Sequence, residues 1–204
     1  MDYESAFKRP FLDIKKLLIG ILLSILPIIN FFSLGYVLDA AKLTLKKKND
    51  LPEWENWGEL FVHGFLVFVI GIIYLLPSLI LALLAVGSGI LKWFVTKSAL
   101  EGLETGGPLL IAAGLVMIVM VYVAPISMIL YAKNWEFKEA FNFSEIIKRI
   151  LTGKYFIVWI ISMVLSVIGM GILSIVPIIG GSIASFITSI ISMTLFAQVY
   201  NEVK

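Results

Sequence analysis

The sequence has no cysteine, a single histidine and few charged residues. The missing thiols exclude disulfides and thiolate chemistry, and His63 alone cannot build the usual nitrogen and sulfur site for zinc. No metalloprotease, nucleophile-elbow or nucleotide-binding motif is present, and no carboxylate pair lies within an apolar run. We therefore predict no catalytic, cofactor-binding or metal-binding residue, and we expect no enzymatic activity. The net charge of +2 gives no sign of a nucleic-acid partner.

What the chain has in abundance is hydrophobic residues. They make up 60% of its 204 residues, and only 15% are charged, whereas a soluble domain has about 25% charged residues. Such a composition predicts a multi-pass protein of the cell membrane, with the lipid bilayer as its solvent. Five apolar runs are each long enough to cross about 30 Å of hydrocarbon. They are Leu17–Leu38, Phe61–Val86, Leu109–Ala132, Tyr155–Val176 and Ile178–Tyr200.

The first run contains a proline in the phrase SILPIIN, residues 24–30. Pro27 would end a helix, and Asn30 could cap the next one, which predicts a hairpin with arms Phe11–Leu26 and Phe31–Leu45. The alternative is one bent crossing. The hairpin places 14 of the 16 Lys and Arg residues on one side, whereas a single crossing divides them 6 and 10. The positive-inside rule favours the hairpin, with both termini in the cytoplasm.

A similar phrase, SIVPIIG, occupies residues 174–180. Pro177, Gly180 and Gly181 predict a turn between the last two helices, with the glycines adopting backbone angles that other residues avoid. The apolar runs and the two proline-containing turns together predict an all-α polytopic bundle of about six hydrophobic helices. The short echoes YLLP and YVAP suggest an internal repeat, roughly 11–86 and 109–204, within a single membrane domain of residues 1–204.

Three polar segments between the apolar runs predict amphipathic helices at the membrane surface. These segments are residues 50–60, 89–103 and 142–151. Tryptophan favours the headgroup zone, so the tryptophans near the ends of the runs are predicted interfacial anchors. They are Trp54, Trp57, Trp93 and Trp135.

Several small or polar side chains lie within or beside the apolar runs. Gly181, Ser185, Thr188 and Ser192 share one face of the last helix. That face predicts close packing, within the bundle or in a homo-oligomer, and a pore-lining face is the alternative.

Asp39 and His63 are the candidate polar residues within the membrane. Asp39 could be a cation or proton site, or it could pair with Lys42 one turn along the helix. We expect His63 to be an interfacial hydrogen-bonding residue, and a histidine there could titrate near neutral pH.

The stretch of residues 9–65 contains KKLLIG, LPIIN, GY and LPEW in that order, followed by a W..LF..G pattern. The later YAKNWEFKEAF, residues 131–141, continues it. In these motifs the chain resembles a family of uncharacterised membrane proteins common in archaea, the domain of unknown function 4013 family. The resemblance implies an all-α integral membrane protein and supplies no catalytic residues.

These observations leave three hypotheses for the function. The first is a non-enzymatic module that organises a membrane complex or lipids, in which the lysine run 46–48 could contact anionic headgroups. The second is a small transporter or channel, since transporters use broken helices near the bilayer midplane. The third is a lipid-modifying enzyme.

Overall fold

The computed structural model describes residues 1–173, 175–176 and 179–203. Its secondary structure in these residues is helical, without a strand, which confirms the all-α prediction. Two short 3-10 turns, Arg9–Phe11 and Phe137–Phe141, accompany the α-helices. The α-helices are α1 (Tyr3–Lys8), α2 (Ile14–Leu23), α3 (Asn30–Leu45), α4 (Trp57–Thr96), α5 (Ala99–Asn134), α6 (Phe143–Ile150), α7 (Gly153–Leu173) and α8 (Ile179–Glu202).

The chain divides into two compact units. Unit 1 comprises Met1–Phe68 and Pro125–Lys204, and unit 2 comprises Val69–Ala124. Four helices are long and apolar enough to cross a membrane: α4 with 40 residues, α5 with 36, α7 with 21 and α8 with 24. Helices of this length and composition indicate a membrane-spanning protein.

The predicted N-terminal hairpin is present, with a first arm shorter than the predicted Phe11–Leu26 and a second arm close to the predicted Phe31–Leu45. Asp13 caps α2 by accepting hydrogen bonds from the Lys15 and Lys16 backbone N–H groups, and Pro27 lies in the break between α2 and α3. The two arms pack together, and Ser33 Oγ donates to the Gly20 carbonyl oxygen at 2.9 Å. With 10 residues, α2 is only about 15 Å long, so it cannot cross a bilayer.

The predicted capping role of Asn30 is wrong. Ile29 is the residue before the first helical position, and no side chain caps α3. The physical reason is that carbonyl oxygens of the tight turns before α3 already accept hydrogen bonds from the first N–H groups of the helix. The Asn30 N–H donates to the Leu26 carbonyl oxygen at 2.8 Å, and the Phe31 N–H donates to that of Ile28 at 3.3 Å.

Helix α8 forms the centre of unit 1, where it contacts α1, α2, α3 and α7. Its buried side chains include Phe186, Ile190 and Phe196. Gly20 of α2 lies directly against the Phe186 ring, since a Cβ added there would be 1.9 Å from the ring edge. The core of this unit therefore depends on α8, because 56% of the most apolar stretch of this helix is buried inside the protein.

The small-residue face predicted on α8 lies at the edge of that core. Ser185 is exposed, and Gly181, Thr188 and Ser192 are half-buried. A Cβ added to Gly169 of α7 would lie 3.2 Å from the Thr188 methyl group. One added to Gly181 would lie 3.9 Å from Met170, which also belongs to α7. The face thus takes part in α7–α8 packing at two positions, and a homo-oligomeric or pore-lining role stays a prediction.

The connection between α7 and α8 differs from the predicted glycine turn. Pro177 lies outside the described residues, whereas Gly180 and Gly181 belong to the first turn of α8. No described glycine has a positive φ, so unusual backbone angles are not their role. Gly180 instead permits a close approach, because a Cβ there would lie 1.6 Å from the Leu173 carbonyl oxygen.

One of the three segments predicted as surface helices forms a separate short helix. Helix α6 covers most of residues 142–151. Residues 50–56 are not helical, because Trp54 is drawn inward: its ring stacks on Tyr36 at 4.0 Å and its Nε1 donates to the Lys16 carbonyl oxygen at 3.1 Å. Residues 89–103 are the ends of α4 and α5, joined at Lys97 and Ser98, because the helical periodicity of the spans continues to the turn.

Candidate functional site

A cluster of polar and aromatic side chains forms in unit 1, where residues from α3, α4 and α5 meet. His63 Nδ1 lies 2.8 Å from the Tyr131 hydroxyl, within hydrogen-bond distance. The His63 ring also stacks on Trp135, with 3.6 Å between the ring centroids. The Lys42 ammonium lies 4.4 Å from the centroid of the same Trp135 ring, a cation–π distance. We call Asp39, Lys42, His63, Tyr131 and Trp135 the polar cluster.

Trp135 has a left-handed backbone conformation, with φ of 59°. It directly follows the last residue of α5, a position at which glycine is the common choice. A side chain with a Cβ costs about 1–2 kcal/mol in this conformation. Its N–H donates to the Tyr131 carbonyl oxygen at 2.8 Å, and the stacked His63 ring and the Lys42 ammonium hold the indole. The contacts of the polar cluster therefore offset a local strain.

Asp39 is the half-buried carboxylate of the polar cluster. The alternative that pairs it with Lys42 is wrong, because the Lys42 ammonium lies over Trp135 and no ion pair in the described residues includes Asp39. The charges that act on it are those of Lys42, Glu59 and Lys46, and it acts in turn on Tyr131. The site thus contains a carboxylate with no ion pair among the described residues, whose charge acts on the Tyr131 phenol, and that phenol lies within hydrogen-bond distance of the His63 imidazole. Such groups can exchange protons or attract a cation.

Arg9 is a structurally important residue that sequence reasoning missed. Only 1% of it is exposed, and its guanidinium binds neutral acceptors from three directions. Nη1 donates to the hydroxyls of Thr44 and Thr194, and Nη2 donates at 2.8 Å to the carbonyl oxygens of Ala40 and Asp50. Burial lowers the pKa of Arg9 to about 10, so the side chain stays a cation at neutral pH. It joins the N-terminal segment to α3, to the loop after α3 and to α8.

The predicted tryptophan anchors divide into two kinds. Trp54 and Trp135 are half-buried and stacked on Tyr36 and His63, as described above. Trp57 and Trp93 expose 44% and 47% of their surfaces. Outward placement is what an interfacial anchor requires, so only the latter two have the exposure for that role.

The apolar side chains in and next to α6 include a buried one and several exposed ones. Ile146 is buried with 1% exposure, whereas Phe143, Ile147 and Leu151 are 59%, 51% and 78% exposed. Phe143, Ile147 and Leu151, which directly follows the last residue of α6, are spaced four apart, so they lie along one line. We call them the apolar row. It leaves large apolar side chains outward on a helix whose sequence is half polar.

A second outward feature lies at the end of α3. Lys46, Lys47 and Lys48 are all exposed, and none of them belongs to an ion pair in the described residues. Lys47 closes the helix in a left-handed conformation, with φ of 60°. We call these residues the lysine turn. Within the described chain, no group of three His, Asp or Glu residues could hold a metal ion.

The folded-back hairpin and the four long apolar helices define a helical integral membrane protein. The chain belongs to the family described as proteins of unknown function, DUF4013, whose family model matches residues 18–178. No curated protein and no solved structure matches the chain.

Proposed function

We propose that this protein is a non-enzymatic membrane module that organises lipids at one face of the cell membrane. The apolar row of α6 carries the proposal. Three large apolar side chains that point outward from a short, half-polar helix favour burial at the boundary between headgroups and hydrocarbon. A helix in that position holds the protein at a fixed depth and orders the lipids around it.

The lysine turn supplies the charge for this role. Its three ammonium groups are exposed and form no ion pair with the described part of the chain, so they can bind anionic headgroups without first breaking such a pair. Each basic residue near an anionic surface contributes about 1 kcal/mol. The positive-inside count supports a cytoplasmic position for this turn and for both termini.

Neutralising the lysine turn is expected to remove a preference for anionic lipids. In a variant carrying Lys46→Gln, Lys47→Gln and Lys48→Gln, the affinity for an anionic phospholipid should fall about tenfold or more, because three headgroup contacts are lost. The measurement is a native mass-spectrometric titration of the intact protein with anionic and zwitterionic phospholipids of identical chains.

A second variant with the same change in net charge is the control. Lys8→Gln, Lys138→Gln and Lys148→Gln neutralise three lysines that pair with Glu4, Glu136 and Glu145. We expect this variant to keep the wild-type preference to within about threefold, because surface ion pairs leave little charge for a ligand. Equal losses of affinity for anionic phospholipid in both variants would show that only the net charge matters, and they would contradict the proposal. A stoichiometric protein partner in the same spectra would move the function to a membrane complex.

A second candidate function is cation or proton transport, favoured by the His63–Tyr131 hydrogen bond and by Asp39, which forms no ion pair in the described residues and whose charge acts on Tyr131. Ionisable residues within membranes commonly mark ion or proton pathways. Cation or proton flux through the reconstituted protein, together with no preference for anionic lipid, would favour this candidate over lipid organisation.

A further inference from the structure

Unit 2 contains a groove with a floor of glycine between α4 and α5. A Cβ added to Gly102 would lie 2.8 Å from the Gly89 carbonyl oxygen, and one added to Gly106 would lie 2.6 Å from that of Ala85. The two backbones are therefore in direct contact along this line. Because glycine has only a hydrogen as its side chain, the groove stays open beside this backbone contact.

The walls of the groove are apolar and large. Its volume is about 370 Å³, within the range of about 300–1,000 Å³ that is usual for sites that bind small molecules. Val86, Ile90, Trp93, Leu103 and Leu110 are among the lining residues. Since both helices are candidate membrane spans, the natural occupant is a hydrocarbon chain.

The charges at the end of the groove indicate which kind of lipid fits. The groove extends to Ala99, next to the turn at Lys97 and Ser98. Lys92 is paired with Glu101 at 3.4 Å, whereas Lys97 is exposed and belongs to no ion pair of the described tip, residues 89–107. The Lys97 ammonium lies 5.5 Å from the centroid of the Phe94 ring and has no carboxylate partner among these residues. Its charge at this end of the groove complements an anionic headgroup whose chain lies inside.

We infer that this groove holds one hydrocarbon chain of a membrane lipid, with the anionic headgroup of that lipid against Lys97. The inference deepens the proposed lipid-organising function by adding a retained lipid in unit 2. It uses none of the residues of the apolar row or the lysine turn, so each can fail while the other stands.

Gly107 offers a way to close the groove without disturbing the helix contact. It lines the groove, yet a Cβ added to it would meet nothing within 4 Å. Gly114, seven residues further along α5, is equally open but does not belong to the lining. Gly107→Leu should therefore fill the groove, and Gly114→Leu is the matched control.

The test uses the full-length protein in proteoliposomes that contain a phospholipid with a photoactivatable group in its chain. Crosslinks are mapped by mass spectrometry of peptides from residues 85–110. We expect Gly107→Leu to lower crosslinking there at least fivefold and Gly114→Leu to leave it unchanged. Lys97→Gln should remove the preference for an anionic over a zwitterionic probe. Glu104→Gln, which removes the unpaired carboxylate after Leu103, should not lower that preference.

Thermal unfolding of each variant in detergent separates a filled groove from a misfolded protein. Equal crosslinking in the wild type and Gly107→Leu, with both folded, would overturn the inference. Crosslinks spread evenly over the outward residues of α4 and α5 would also overturn it, since they indicate bulk lipid. Crosslinks from the groove to a second copy of the chain would assign it to a dimer interface instead.

Discussion

Arg9→Ala is expected to lower the free energy of unfolding by about 3–5 kcal/mol. The substitution leaves the Thr44 and Thr194 hydroxyls and the Asp50 carbonyl oxygen without the guanidinium donor, whereas the Ala40 carbonyl oxygen keeps the Thr44 hydroxyl. Each unsatisfied buried group costs about 1–3 kcal/mol. Relaxation and the regained hydration of the lost charge offset part of that sum. Chemical unfolding in mild detergent, followed by tryptophan fluorescence, measures the change.

Lys8→Ala is the matched control for Arg9, since it removes a neighbouring positive charge. The Lys8 side chain is 71% exposed, and its one ion pair among the described residues is with Glu4, four residues earlier. We expect an effect below about 0.5 kcal/mol. An Arg9→Ala protein as stable as Lys8→Ala would show that the buried guanidinium does not hold the N-terminal segment to α3 and α8.

Gly64→Ala is expected to destabilise the protein by about 3 kcal/mol or more. A Cβ at residue 64 would lie 1.8 Å from the Phe31 carbonyl oxygen and 2.9 Å from the Gly35 nitrogen. Both obstacles are backbone atoms of α3, so the helices must separate, a larger change than the side-chain shifts that cost about 1–3 kcal/mol in overpacked cores. The same unfolding experiment measures this effect.

Gly58→Ala gives the opposite expectation on the same helix. A Cβ at residue 58 meets nothing within 4 Å, and alanine is the better helix former. We expect no loss of stability, or a gain of up to about 0.5 kcal/mol. If both glycine substitutions stabilise the protein, the close crossing of α3 and α4 is absent in solution.

The elements that could be predicted are those governed by local sequence. Proline lacks the backbone N–H of a helix interior and its ring clashes with the preceding turn, so the break around Pro27 could be predicted from the sequence. Length and hydropathy likewise predicted the membrane-crossing helices. Proline is less decisive in the middle of a long helix: Pro77 lies inside α4, which continues for another 19 residues.

The features that escaped prediction depend on contacts between distant residues. The polar segment 50–60 was predicted to be a helix, but the stacking of Trp54 on Tyr36 holds residues 50–56 in a different conformation. Arg9 was counted as one of several basic residues at the N-terminus. Its partner Thr194 is 185 residues away, so no local pattern indicated its burial.

The polar cluster was predicted only in part. Asp39 and His63 stood out because ionisable residues are rare in apolar runs. Tyr131 and Trp135 complete the cluster, and Tyr131 lies 68 residues beyond His63 in the sequence.

The central claim is that the first apolar run folds back, which places the lysine turn and the membrane-crossing helices as described. Cysteine labelling tests it directly, because the chain has no cysteine of its own. Asn49→Cys and Thr105→Cys each introduce one thiol at an exposed position. In intact cells, we predict that an impermeant reagent labels the Thr105→Cys protein and spares the Asn49→Cys protein until the membrane is opened. Labelling of Asn49→Cys from outside, with Thr105→Cys protected, would contradict the account.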